Sequence, residues 1–139
     1  MATIYADISS ALDSHLSSFA TTNSLTVQWE NKTSKRPNTT HLRQSLLPVE
    51  SIQAELGDTG QDYNQVIYQV DIVVRANDGK KELYTKADLV ADHFARGTNL
   101  TYNLQNIRIT RVEFSPLVFD TDFVFIAVSI TAENYTAAR

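Results

Sequence analysis

Apolar residues recur at Ile4, Ile8, Ala11, Leu12, Leu16 and Phe19, a spacing of three and four that predicts an amphipathic helix. Thr3 fits the N-cap, Asp7 suits the positive end of the macrodipole, and "TTNS" at 21–24 ends the helix. A second helical stripe, Leu83, Ala87, Val90, Ala91 and Phe94, follows the turn "ANDGKK", and Gly97 is placed as its C′ glycine.

Between and after these helices the period changes to two. "LTVQWE" alternates Leu25, Val27 and Trp29 with polar neighbours, and "HLRQSLL" sets Leu42 and Leu46 against His41, Arg43 and Ser45. Pro48 is expected to close that strand; after it "IQAEL" is compatible with a strand and "GDTG" reads as a turn. The longest alternation, "VIYQVDIVV", points Val66, Tyr68, Val70, Ile72 and Val74 one way and Ile67, Gln69, Asp71 and Val73 the other. A strand over about 63–75 follows. "LTYNLQNIRITRV" reads as a hairpin with Ile107, Ile109 and Val112 on one face, and "FSPLVFD" as irregular because Pro116 cannot donate to a ladder. The last strand, "DFVFIAVSIT", turns Val124, Ile126, Val128 and Ile130 inward and Phe123 and Phe125 outward. The stretch 131–139 is expected to be a loose, polar tail.

Two helices are too few to cover both sides of such a sheet. The pattern therefore predicts an α+β domain, a mostly antiparallel sheet of five or six strands with both helices packed on one face. All 139 residues form one domain. The outward row then poses a problem: Phe123, Phe125, Ile67 and Val73 need a cover, because monomers rarely leave a contiguous apolar patch open. Either another chain supplies it, or the long polar segments 31–40 and 48–62 fold over it.

Candidate chemistry changes this picture little. The net charge of −4 argues against a general nucleic-acid binder. Without cysteine there is no disulfide framework, thiolate metal site or cysteine nucleophile. His15, His41 and His93 lack metal-ligand spacing, and Asp120 with Asp122 is a weak cation signal, so no metal site is expected. No phosphate-binding or nucleophile-elbow motif occurs, so neither a catalytic residue nor a cofactor is expected. The start has no signal-peptide pattern, and no run approaches the ~20 apolar residues of a membrane span. The one basic cluster, Lys32, Lys35 and Arg36, lies in a polar loop. It reads as a solvated loop or as a contact for phosphate or an acidic partner.

Several strings in order along the chain carry a resemblance: "TIYADISSALDSHL" (3–16), "VQWEN" (27–31), "LRQSLLP" (42–48), "IYQVDI" (67–72), "VADHFARGTNLTY" (90–102) and "IRI" (107–109). Together they resemble the tail terminator-like family of tailed bacteriophages, a phage-related domain formerly without a function. The chain departs from that pattern at "NKTSKRPNTTH", which is more polar and basic, and at "YNLQNI", where a shorter glycine-containing turn is usual.

The resemblance implies an α+β fold and a structural virion protein made in the host cytoplasm. It implies a hexameric homo-oligomeric ring that caps the tail tube protein, stops its polymerisation and joins the head-side connector protein at the neck. Virion DNA would pass through the lumen without specific binding. On this reading Phe123, Phe125, Ile67, Val73, Lys32, Lys35 and Arg36 are candidates for the oligomer or partner interface, and Gln69 and Asp71 for the lumen. The competing expectations are another neck or connector subunit and, from a different class, a small monomeric ligand-binding protein or enzyme.

Overall fold

In the computed structural model, which describes residues 4–30, 39–53, 61–76, 80–102, 105–120 and 122–137, the two periodicities become two helices and seven strands. The order is α1 (Ile4–Thr22), β1 (Thr26–Gln28), β2 (His41–Gln53), β3 (Gln61–Arg75), α2 (Lys81–His93), β4 (Asn99–Tyr102), β5 (Gln105–Phe114), β6 (Val118–Asp120) and β7 (Phe123–Ala137).

The strands form a single sheet ordered β1-β2-β3-β7-β5-β4, with β6 paired to β7. It is mixed rather than mostly antiparallel: β1 runs parallel to β2, while the other pairs are antiparallel. At the centre, β3 and β7 pair without a break from Gln61↔Ala137 to Arg75↔Phe123.

Both helices lie on one face, as the count of amphipathic elements required. Val66, Tyr68, Val70, Ile72 and Val74 of β3 are buried in one cluster with Leu12 and Leu16 of α1 and Leu83, Ala87 and Val90 of α2. Burying these side chains, at roughly 1.5–3 kcal/mol each, is what holds the layers together. Tyr68 is fully buried there and donates its O–H to Asp13 Oδ1 on α1 at 2.6 Å. Burial and the Asp13 carboxylate push the phenol well above its ordinary pKa.

Helix α1 ends in a Schellman arrangement. Leu25 N–H donates to the Ala20 carbonyl, Ser24 N–H to that of Thr21, and Ser24 takes the left-handed conformation at φ 56°. Gly97 has a different place from the one expected. Helix α2 is capped at Phe94, and Gly97 (φ +92°) lies in the following turn, closed by Thr98 N–H to the Ala95 carbonyl. Its own N–H donates to the Ile109 carbonyl at 2.7 Å, so this turn ties the helix exit to β5.

Three strand boundaries also differ from expectation. Strand β2 continues through Pro48 to Gln53, with a register shift between Pro48 and Glu50. Among the described residues β1 covers only His41–Arg43 of β2, so Pro48 stands on an open edge where its missing N–H interrupts no ladder. The stretch expected as a loose tail is strand: β7 runs to Ala137 and is paired with β3 on one side and, as far as Asn134, with β5 on the other. "FSPLVFD" is not irregular throughout, because Val118–Asp120 pair with β7 as β6. In β5 a register shift between Ile109 and Arg111 absorbs one residue, so Val112 pairs with Ile130 on the same face as Ile107 and Ile109.

Candidate functional site

The sheet face away from the helices carries the residues singled out above, and strand register arranges them in rows. One row runs His41–Val73–Phe125–Val118 across β2, β3, β7 and β6. The next runs Arg43–Asp71–Ala127, the next Ser45–Gln69–Ser129–Glu113, and the next Leu47–Ile67–Thr131–Arg111.

The first row is closed within the chain at His41 and Val73, while Val118 at its β6 end is exposed. Val73 is fully buried, and Phe123, in the adjoining row opposite Arg75, is only 9% exposed. His41, also buried, sets its ring edge-on to Phe123 with centroids 5.9 Å apart. Arg43 carries its guanidinium 4.5 Å above the Phe125 ring, leaving Phe125 half-buried. The expectation that all four residues need a cover from another chain or from segments 31–40 and 48–62 is therefore corrected for Val73 and Phe123. Val73 and Phe123 are sealed by cross-strand neighbours, and Phe125 is roofed by an arginine. Ile67 stays half-exposed, beside Leu47, which is 49% exposed.

Gln69 and Asp71 come together as a polar chain in the middle of this face. Gln69 Nε2 donates to Asp71 Oδ1 at 2.9 Å, and Arg43 holds the other carboxylate oxygen at 3.2 Å. The same arginine thus neutralises Asp71 and shields Phe125. Sequence reasoning put Arg43 on this face but missed that double role, which depends on the β2–β3–β7 register. Lys32, Lys35 and Arg36 lie outside the described residues.

Other exposed apolar residues escaped the pattern. Phe114, Val118 and Phe119 are 47%, 42% and 76% exposed around the β5–β6 connection. The signal was present in "FSPLVF", where four large apolar residues flank a proline in a stretch too short to alternate.

The histidines, scattered in sequence, are partly gathered by the fold. His15 and His93 stack across α1 and the end of α2, whereas His41 is the first residue of β2. Among the described residues no group of three His, Cys, Asp or Glu side chains could hold a metal ion. No described helix is long and apolar enough to cross a membrane.

The sequence profile of phage tail terminator proteins matches residues 7–131. The chain belongs to that family. Membership makes it a structural component of a phage tail and points to a non-enzymatic protein. Nine solved chains also match this chain. One of them is 18% identical, with 99% of each chain covered and a TM-score of 0.78, a likeness of fold. No curated protein matches.

Proposed function

We propose that this terminator-family chain closes into a ring of six copies on the finished end of a tail tube. There it stops further addition of tube subunits and presents its far side to the head-side connector. The observation that carries the proposal is the one-sided fold, taken together with the family. Both helices sit on one sheet face, and among the described residues no helix or second sheet covers the other, which keeps exposed Leu47 beside half-exposed Ile67.

Capping then follows from shape. A head-to-tail contact closes into a ring when its rotation divides a full turn. One side of that ring matches the last tube layer, and the other does not repeat the surface on which tube subunits add. Ile67 and Phe125 meet a neighbouring subunit or the tube layer, while Gln69 and Asp71 face the lumen. A net acidic ring repels the phosphates of DNA in transit rather than retaining them. Lys32, Lys35 and Arg36 are the contact for an acidic partner surface.

Virions made without the protein test the role. Tails of uncontrolled length are the expected result. Tails of normal length detached from DNA-filled heads would instead assign the chain to the neck joint.

A further inference from the structure

Two grooves lie at opposite lateral ends of the sheet and carry opposite charge. The first, about 350 Å³, opens between α1 and the β1–β2 edge, and its lining among the described residues is Asp13, Ser14, Ser17, Trp29, Glu30 and Gln44, which includes two carboxylates and no basic side chain. The second, about 540 Å³, opens between the end of α2 and β5, and its lining among the described residues is Ala91, Ala95, Arg96, Thr110, Arg111 and Val112, which includes two guanidiniums, one of them paired with Glu113 beside the groove. Strands β3 and β7 separate β2 from β5. Phe114, at the end of the same strand β5, and Phe119 of β6 are exposed.

Each edge is built to be met. Glu30 extends the β1 side of the sheet with side-chain bonds: its Oε1 accepts Leu46 N–H at 3.0 Å, and its own N–H donates to Gln44 Oε1 at 3.1 Å. Strand addition at that point is blocked, and side chains are left to make the contact. At the other edge β4 pairs with β5 only up to Arg108, so among the described residues Thr110–Phe114 form a free margin. Among the described residues Arg111 there holds Glu113, at 3.1 Å, in a pair whose side chains are 69% and 59% exposed and readily exchanged.

We infer that the contact between neighbouring copies joins these two edges. The Arg96–Arg111 groove of one copy, with exposed Phe114 and Phe119, seats against the Asp13–Glu30 groove and Trp29 of the next. The inference rests on the ring proposed above and names the surfaces that close it. Because the two surfaces are different, at opposite ends of one sheet and complementary in charge, the contact is heterologous, as a ring requires. Charge complementarity also sets the register and suppresses the reverse docking, which would bring like charges together.

The test is a pair of edge variants read by native mass and negative stain. One, Ser17→Arg with Glu30→Lys, makes the acidic edge basic; the other, Arg96→Glu with Arg111→Glu, makes the basic edge acidic. Asp13 is left in place because it receives the Tyr68 hydroxyl. Each variant alone is expected to be a folded monomer. Their equimolar mixture is expected to recover rings in which the two alternate, because each altered edge then meets its opposite. Phe119→Ser, at a residue outside the core, is expected to weaken the ring at least tenfold. Rings persisting in either charge variant, or a mixture that fails to recover them, would overturn this contact while leaving the ring standing. Variants that form rings but no longer hold tube protein would assign the grooves to the tube instead. A wild-type chain that is monomeric both free and on tube ends would remove the ring and this contact together.

Discussion

The imidazoles of His15 and His93, 78 positions apart in the chain, stack with centroids 3.8 Å apart, and each faces the other's backbone carbonyl at 2.7 and 2.8 Å. A carbonyl only accepts, so Nε2 carries the proton on both rings. The pair clasps the middle of α1 to the end of α2, with Phe94 edge-on to His15 and Phe19 beside His93. It holds the helical layer together with two hydrogen bonds where ridges of aliphatic side chains would otherwise do so alone.

This clasp makes stability depend on pH above the carboxylate range. Burial lowers the His15 pKa below 6.5; the bond to the His93 carbonyl opposes the shift, and the His93 ring beside it adds to the lowering. The unfolded chain therefore takes up the His15 proton first as pH falls. Stability from this group is full above pH 6.5, declines as pH drops below that value, and levels once the folded protein is protonated too. Thermal melts from about pH 7.5 to 5.5, spanning the ordinary histidine range, should show Tm falling toward acid. His15→Gln should flatten that decline; an unchanged slope would exclude His15 as its source.

Removing Arg43 should cost more than removing Arg111. Arg43 is 28% exposed, pairs with a 14% exposed Asp71 and roofs Phe125, whereas Arg111 and Glu113 are 69% and 59% exposed. Urea titration of Arg43→Ala should show a loss of about 1–2 kcal/mol, between surface and buried ion pairs. Arg111→Ala should stay within ~0.5 kcal/mol. Equal losses would contradict the shielding role assigned to Arg43.

Ser24 occupies the left-handed C′ position of α1 at φ 56°, where a Cβ is unfavourable. Ser24→Gly should raise stability by up to ~1 kcal/mol, measured by denaturant midpoint. Gly97 is the converse case. A Cβ there meets nothing within 4 Å, but φ is +92°, so Gly97→Ala should cost about 1–2 kcal/mol from backbone conformation alone.

Leu47 lies on the sheet face opposite the helices at 49% exposure. Leu47→Asp should leave Tm within ~2 °C, as surface substitutions usually do. If that face meets a neighbour or the tube, pelleting with tube protein should fall. A normal pellet would remove Leu47 from the contact.

The sequence carried the helices and the core rows of β3 and β7 because each has one dry face, and a dry face writes its period into the chain. It carried the ends of β2 and β7 poorly. Pro48 looked like a stop because an open edge is invisible from one strand, and "AENYTAA" looked loose because its pairing is with β3 and β5 rather than an apolar layer. Of the candidate site, the polar Gln69–Asp71 pair was legible from alternation. The burial of Val73 and Phe123 was not, because it comes from His41, Phe125 and Val118 meeting them or their row across strands far apart in sequence. His15 and His93 escaped for the same reason.

Closure into a ring is tested most directly by the solution mass of the purified chain, alone and with assembled tail tube. A species of six times the 15.6 kDa chain, free or seated on tube ends, is the expected result. A chain that keeps its 15.6 kDa mass at high concentration and leaves tube ends bare would contradict it.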